Sequence, residues 1–129
     1  MNLRKRWRRG IFTALLVPVF IGCVGCHSYH IDTTVENRTG GTIQLLEVNY
    51  PSASFGADSL VLGATFNYRF QVRGSGPLKV EYTASNHHLV QIAGPVLAEQ
   101  QEGRIEIVLL PDGKAEFHQH LTGASGASK

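Results

Sequence analysis

The sequence is poor in cysteine, the residue that forms disulfides. Of 129 residues only Cys23 and Cys26 are cysteine, and none follows Cys26. The remainder of the chain therefore folds without a disulfide, even in an oxidising compartment. No segment after Cys26 carries an extended helical hydrophobic period, which argues against a helical fold.

The motifs of catalysis and phosphate binding are also missing. No serine lies in a nucleophile-elbow context, and no glycine-rich loop follows a strand and opens a helix. The carboxylates of Glu36, Glu81, Glu106 and Glu116 fall at outward strand positions, where solvated charge is the ordinary state. The sequence predicts no catalytic residue, no cofactor and no enzymatic activity.

Positive charge is concentrated at the start of the chain. Five basic residues lie within the first ten, with no acidic residue among them. The chain from Cys26 onward has 104 residues, with seven Lys and Arg against ten Asp and Glu, a net charge of −3. This part has the size of one domain and no basic patch, so nucleic acid is not expected as a partner.

The basic head is followed by an uncharged apolar run from Ile11 to Val24. A transmembrane helix needs roughly 20 consecutive apolar residues, whereas this run is shorter and Pro18 and Gly22 interrupt it. A basic head, an apolar run and then small residues are the order of a secretory signal peptide.

The apolar run ends in two Gly-Cys pairs, within Phe20-Ile21-Gly22-Cys23 and Cys23-Val24-Gly25-Cys26. These segments resemble the lipobox of bacterial lipoproteins, in which the cysteine thiol carries a diacylglycerol and becomes the new N-terminus. The resemblance implies lipidation at Cys26, with Cys23 as the alternative, after a signal peptide at residues 1–25. The Cys-x-x-Cys spacing also fits a redox or zinc motif, but such a motif needs a folded setting.

The resemblance also implies a location, the bacterial cell envelope, with the lipid anchor holding the protein at a membrane. Residue 27 is not Asp. Under the sorting rule of some Gram-negative bacteria this favours the outer membrane, facing the periplasm, with the inner membrane left open. The first strand begins only a few residues after Cys26, so the tether is expected to hold the domain against the bilayer.

From Ser28 onward, alternating apolar residues and turn residues predict an all-β fold. The expected strands include 29–36, 42–50, 65–73, 78–85 and 86–93, followed by a last hairpin of 104–110 and 114–121. The alternation slips at Leu45-Leu46, which predicts either a bulge or burial on both faces. Residues 51–62 are interpreted as a loop in which Ser59 to Leu62 is a candidate short edge strand. Asn37-Arg38-Thr39 spells a glycosylation sequon but is interpreted as turn chemistry. We expect one antiparallel β-sandwich of 7–8 strands over residues 26–121 and a disordered tail over 122–129.

The segment Leu60-Val61-Leu62-Gly63-Ala64-Thr65-Phe66 resembles the glycine-containing corner before a core strand in immunoglobulin-like domains. The chain lacks the Cys and Trp core of antibody domains. The resemblance therefore implies an immunoglobulin-like architecture and no particular function.

The histidines are the candidate metal ligands. A three-residue loop, Pro111-Asp112-Gly113, keeps the apolar residues of the last hairpin on one face. It places Glu106 opposite His118 and Arg104 opposite His120, all on the outer face. His118 and His120, together with Glu106 or Glu116, are then plausible Zn²⁺ or Cu²⁺ ligands, although the positive charge of Arg104 opposes a cation.

Two functions follow as expectations. The first is a non-catalytic lipoprotein that acts at the cell envelope as a protein-interaction or structural module, in which an edge strand accepts a strand of an unknown partner. The alternative is a surface metal-binding module on the strand face of His118 and His120.

Overall fold

The computed structural model describes residues 27–123, which form eight β-strands. They are β1 (His30–Asn37), β2 (Ile43–Tyr50), β3 (Ala53–Leu60), β4 (Thr65–Gln71), β5 (Gly76–Thr83), β6 (Leu89–Leu97), β7 (Glu102–Leu110) and β8 (Lys114–Thr122). A short 3₁₀ turn, Pro111–Gly113, joins β7 to β8. The all-β class and the number of strands are confirmed.

The strands form two four-stranded sheets in a sandwich-like arrangement, the first in the order β4-β1-β7-β8 and the second in the order β3-β2-β5-β6. Neighbouring strands are antiparallel except β1 and β7, which are parallel with Ile31 beside Gly103. The expectation of a purely antiparallel sandwich is wrong at this pair. The chain returns to the starting end of β1 before β7 begins, so both strands run the same way.

The core lies between the sheets and is formed mainly by alternate residues of β1, β2, β5 and β7. Leu78, Val80 and Tyr82 of β5 face inward, as the alternation of the predicted strand 78–85 requires, and Ile105, Ile107 and Leu109 do the same in β7. Among the described residues, Thr33 and Asn37 are the buried polar side chains.

Aromatic side chains close the two open sides of the sandwich. On the β3–β4 side, Phe55 stacks on Tyr68 with ring centroids 4.3 Å apart and contacts Phe70 at 5.4 Å. On the β6–β8 side, Phe117 packs against Gly94, where a Cβ atom would come within 2.9 Å of the ring. The edge strands of the two sheets therefore remain close without hydrogen bonding to each other.

Of the two alternatives predicted at Leu45-Leu46, the bulge is confirmed and burial on both faces is wrong. The register between β2 and β5 shifts between Gln44 and Glu47, Leu46 is buried, and Leu45 has a φ of 51° and points into solvent. A φ in this left-handed region is strained for a bulky residue. The bulge thus turns one of two adjacent leucines out of the core.

The predicted register of the last hairpin is confirmed residue by residue. Leu109 pairs with Ala115, Glu106 with His118, and Arg104 with His120. Asp112 and Gly113 have left-handed φ values of 64° and 69°, which allow the three-residue loop.

Two boundary predictions are wrong. Residues 51–58 were expected to form a loop, but Ala53–Leu60 is a full strand, and Val61 and Leu62 lie beyond it. The Ser, Gly and Asp residues of this segment have low strand propensity, and pairing with β2 overrides it. At the C-terminus, Thr122 still belongs to β8, and residues 124–129 of the expected tail lie outside the described residues.

The sandwich has two distinct ends. The N-terminal end contains residues 27–29, 51–52, 72–75 and 98–101, with Val72 N donating to Tyr29 O at 3.2 Å and Tyr50 Oη donating to Gly74 O at 2.5 Å. The far end contains residues 38–42, 61–64, 84–88 and 111–113, which join the opposite ends of the same strands. Any anchor before residue 27 therefore holds the N-terminal end.

Asn37 joins the two sheets at the far end. Its fully buried side chain donates from Nδ2 to Leu60 O and to Gly41 O, both at 2.8 Å. Its Oδ1 accepts from Thr39 N at 3.0 Å and from Thr39 Oγ1 at 2.8 Å. The side-chain amide of Asn37, the first residue of the sequon, is thus buried and fully hydrogen-bonded within the turn. This agrees with its interpretation as a turn residue.

Candidate functional site

The predicted histidine face is the solvent side of the first sheet. One row across it consists of Arg69, Asp32, Arg104 and His120 on successive strands. Arg69 Nε lies 3.6 Å from Asp32 Oδ1 in an exposed ion pair, and Asp32 separates the two arginines of the row.

The next row contains Asn67, Thr34, Glu106 and His118. Thr34 Oγ1 donates to Asn67 Oδ1 at 2.8 Å. His118 Nε2 lies 3.2 Å from Oε2 of Glu116, two residues before it on β8, rather than forming a hydrogen bond with Glu106 across the strands. Within residues 27–123, no group of three His, Cys, Asp or Glu side chains is placed to hold a metal ion. The face is a ladder of neighbouring polar pairs.

The N-terminal end binds the first described residues closely. His27 Nε2 lies 2.8 Å from Glu102 Oε2 at the start of β7, and the His27 ring meets Tyr29 edge-on with centroids 4.8 Å apart. These exposed contacts place His27 beside the start of β7. The leader, Cys23 and Cys26 lie outside the described residues. In the described part of the chain, no helix has the length and hydropathy that crossing a membrane requires.

Exposed aliphatic side chains collect at the far end. Leu45 is 66% exposed, Val61 58%, Leu62 55% and Leu89 59%. Leu89 lies in the row Ser59, Gln44, Thr83 across the second sheet, on β6 and two strands away from β2, which carries Leu45. We call these four residues the far-end apolar surface. Such side chains at loop ends are typical of protein contacts when they are grouped.

Backbone strain is concentrated at the same end. Four described residues other than glycine have left-handed φ values, and three of them, Leu45, His87 and Asp112, lie at the far end. Strained residues persist where the surrounding structure fixes them, and they cluster at functional sites.

A cleft of about 370 Å³ opens at the far end between three loops. Thr39 comes from the first loop, Ser85, Asn86 and His88 come from the β5–β6 loop, and Pro111, Asp112 and Gly113 come from the β7–β8 loop, above a floor that includes Tyr82, Val90 and Leu110. A depression of about 420 Å³ on the outer face of the second sheet is larger, but it lies on a flat strand face between Lys79 and Gln91. The far-end cleft is the one built by converging loops.

Tyr82 is the least expected group in this cleft. Its side chain is 1% exposed, and burial raises the pKa of its hydroxyl. Among residues 27–123, the fully enclosed side-chain oxygen that lacks a hydrogen-bond partner is Thr33 Oγ1, and the Tyr82 hydroxyl has no partner there either. Tyr82 therefore lies at the base of the cleft as a buried core residue.

Sequence reasoning assigned the cleft residues to other roles. Asp112 was predicted as a turn residue of the last hairpin, and Tyr82 falls within the predicted strand 78–85. Leu45-Leu46 breaks the two-residue alternation of β2, and this break in the sequence was the one indication that Leu45 is exposed. No local pattern indicates that residues 39, 88 and 112 meet.

Comparison with known proteins adds little. No family model and no curated protein matches the chain. A solved structure described as "NMR structure of the protein from Eubacterium rectale" is similar over 74% of this chain and 90% of that chain, at 14% identity and a TM-score of 0.49. Neither its fold nor any role is transferred to this chain.

Proposed function

We propose that this chain is a bacterial lipoprotein that binds another envelope protein without catalysing a reaction. In this proposal, Cys26 carries the lipid, with Cys23 as the alternative, and the membrane is the outer membrane, facing the periplasm. The domain is an immunoglobulin-like sandwich. The turn at Gly63-Ala64 between β3 and β4, where Gly63 has a φ of 78°, supports that class.

One observation carries the proposal of a protein contact. The chain enters at the N-terminal end, and the far-end apolar surface lies at the opposite end. A lipid at residue 26 would hold the N-terminal end at the bilayer and present the far end away from it. The exposure of Leu45 supports a contact further, because a strained bulge that exposes a leucine has a conformational cost of about 1–2 kcal/mol.

Strand addition is a second element of the contact. β3 is an edge strand of the second sheet and leads directly into Val61 and Leu62. An extended partner segment along this edge would gain main-chain hydrogen bonds and meet the far-end apolar surface at its end.

Lipidation is tested by metabolic labelling of the full chain with an alkyne fatty acid. Cys26→Ser is expected to abolish labelling and to leave the leader uncleaved, whereas Cys23→Ser retains both labelling and cleavage. If only Cys23→Ser loses labelling, the lipidated residue is Cys23. If the wild type is not labelled either, the proposal of lipidation is refuted.

The partner is tested by a photo-crosslinking amino acid introduced at Leu62 in living cells. A matched control places it at Ala93, which is exposed on the flat outer face of the second sheet. A discrete adduct from position 62 that is weak or missing from position 93 is expected. Equal adducts from both positions, or none from either, would contradict a far-end contact.

A further inference from the structure

We propose that a row of apolar side chains at the N-terminal end, formed by Pro51, Pro77 and Val96, rests in the headgroup region of the bilayer to which the chain is anchored. We call these three residues the N-terminal apolar row. The proposal rests on the proposed function, because it requires a lipid at residue 26, and it identifies the face of the domain that meets the membrane.

The three side chains lie side by side at the start of the second sheet. Pro77 pairs with Val96 across β5 and β6, and Pro51 directly follows β2, which pairs with β5. The Pro51 ring lies over the start of β5, because a Cβ atom at Gly76 would clash with its Cγ atom. Pro51 and Pro77 also line one shallow depression. The row is therefore continuous across three neighbouring strands.

The row points into solvent on the outer face of the second sheet. Val96 is 71% exposed, the largest value for a large hydrophobic side chain within residues 27–123, and Pro51 and Pro77 are exposed as well. Each member of the row is adjacent in sequence to a buried core residue: Tyr50, Leu78 or Leu97. Since successive residues of a strand face opposite ways, the row lies on the side away from the core. Its removal from water would be favourable.

The anchor and the row lie at the same end of the sandwich. One peptide bond joins Cys26 to His27, and the His27 ring lies beside the start of β7 in the first sheet. The row occupies the same end of the second sheet, and packed sheets are about 10 Å apart. A lipid at residue 26 would therefore keep the row close to the bilayer surface. A contact that is tethered in this way forms at high effective concentration, so even a small apolar surface suffices.

Apolar burial, and not charge, is the basis of the contact. Both signs of charge surround the row, with Arg73 and Lys79 against Glu99 and Glu102 at or beside the N-terminal end. The row itself contains no charged side chain. Lys79 lines the same depression as the two prolines, and its long stem allows the ammonium group to reach lipid phosphates. We therefore expect a contact that forms on zwitterionic lipid and persists in high salt.

The test places an environment-sensitive fluorescent amino acid at position 96 of the lipidated chain. The protein is reconstituted in vesicles of phosphatidylethanolamine and phosphatidylcholine, some of which carry a nitroxide on the upper part of the acyl chain. Because Val96 is exposed, the probe does not disturb the core. We expect a blue-shifted emission and quenching of about twofold or more by the nitroxide lipid.

Two control positions separate the row from the rest of the surface. Leu89 is 59% exposed on the same strand and belongs to the far end, roughly 20 Å along β6 from Val96. Thr122 is exposed at the N-terminal end of β8 in the first sheet, where it pairs with Glu102. Position 89 should not be quenched, and position 122 should be quenched less than position 96.

Three results would overturn the proposal. The first is quenching at position 96 that does not exceed the quenching at position 122, and the second is quenching at position 89 instead. The third is loss of quenching in about 1 M NaCl, where the Debye length is about 3 Å, because the contact would then depend on charge.

Failure of this proposal is separable from failure of the proposed function. A chain that floats with the vesicles but is not quenched at position 96 would reject the row and leave the lipid anchor standing. A chain that does not float with the vesicles would reject the anchor and the row together. Quenching at position 96 without any crosslinked partner from position 62 would support the membrane contact and reject the far-end protein contact.

Discussion

Replacing Asn37 with alanine should be the most damaging single polar substitution in the domain. The change removes four hydrogen bonds at the junction of the two sheets. It leaves the Leu60 carbonyl without its buried donor, whereas the Gly41 carbonyl keeps the Thr39 hydroxyl at 3.1 Å. An unsatisfied buried group costs about 1–3 kcal/mol, and each lost hydrogen bond about 0.5–1.5 kcal/mol. We expect a loss of about 3 kcal/mol in the free energy of unfolding.

The measurement is thermal and urea unfolding of the full chain, followed by circular dichroism. For a domain of this size, a loss of about 3 kcal/mol lowers Tm by roughly 12–24 °C. Asn37→Asp keeps an acceptor for Thr39 but sets a carboxylate against two carbonyl oxygens, so it should be at least as destabilising. Thr39→Ala removes only partly buried bonds and should cost about 1 kcal/mol. A loss below about 1 kcal/mol in Asn37→Ala would refute the role of Asn37 as a clamp between the sheets.

Three further outcomes are expected. Leu45→Asn should stabilise the domain by about 1 kcal/mol, because asparagine tolerates the left-handed φ; a loss in urea unfolding would contradict the bulge geometry. Burial, and to a smaller extent the charge of Glu99, raises the pKa of Tyr50 in the folded state. The folded state therefore favours the protonated hydroxyl. The contribution of Tyr50 to the free energy of unfolding is complete below the unfolded-state pKa of about 10 and is lost as pH rises through the folded-state pKa. Tyr50→Phe should flatten that alkaline loss, and identical pH profiles would contradict it. Saturating Zn²⁺ or Cu²⁺ should leave Tm nearly unchanged, because His118 and His120 have no third ligand among the described residues. A rise of roughly ten degrees that disappears when both are alanine would restore the metal site.

The sequence predicted the last hairpin in full because every interaction that decides it is local. Loop length fixes the pairing of Leu109 with Ala115, and the two-residue period of a strand then fixes the exposure of His118. The bulge in β2 was predictable for the same reason, since two adjacent leucines break that period within one strand.

Other features depend on contacts between distant segments. β3 consists largely of residues with low strand propensity and obtains its structure from pairing with β2. The parallel pairing of β1 with β7 has no local signature. The cleft joins three loops that are distant in the sequence, so no local pattern predicts it.

The position of β1 in its sheet has a consequence for the order of folding. β1 lies between β4 and β7, and its first pair with β7, Ile31 with Gly103, closes a separation of 72 residues. The strand made first can complete its hydrogen bonding only after nearly the whole domain exists. Pairings of such long range slow folding into the millisecond-to-second range, and an unpaired strand attracts foreign strands in the meantime. We expect the domain to fold slowly, because β1 cannot complete its hydrogen bonding until β7 is available.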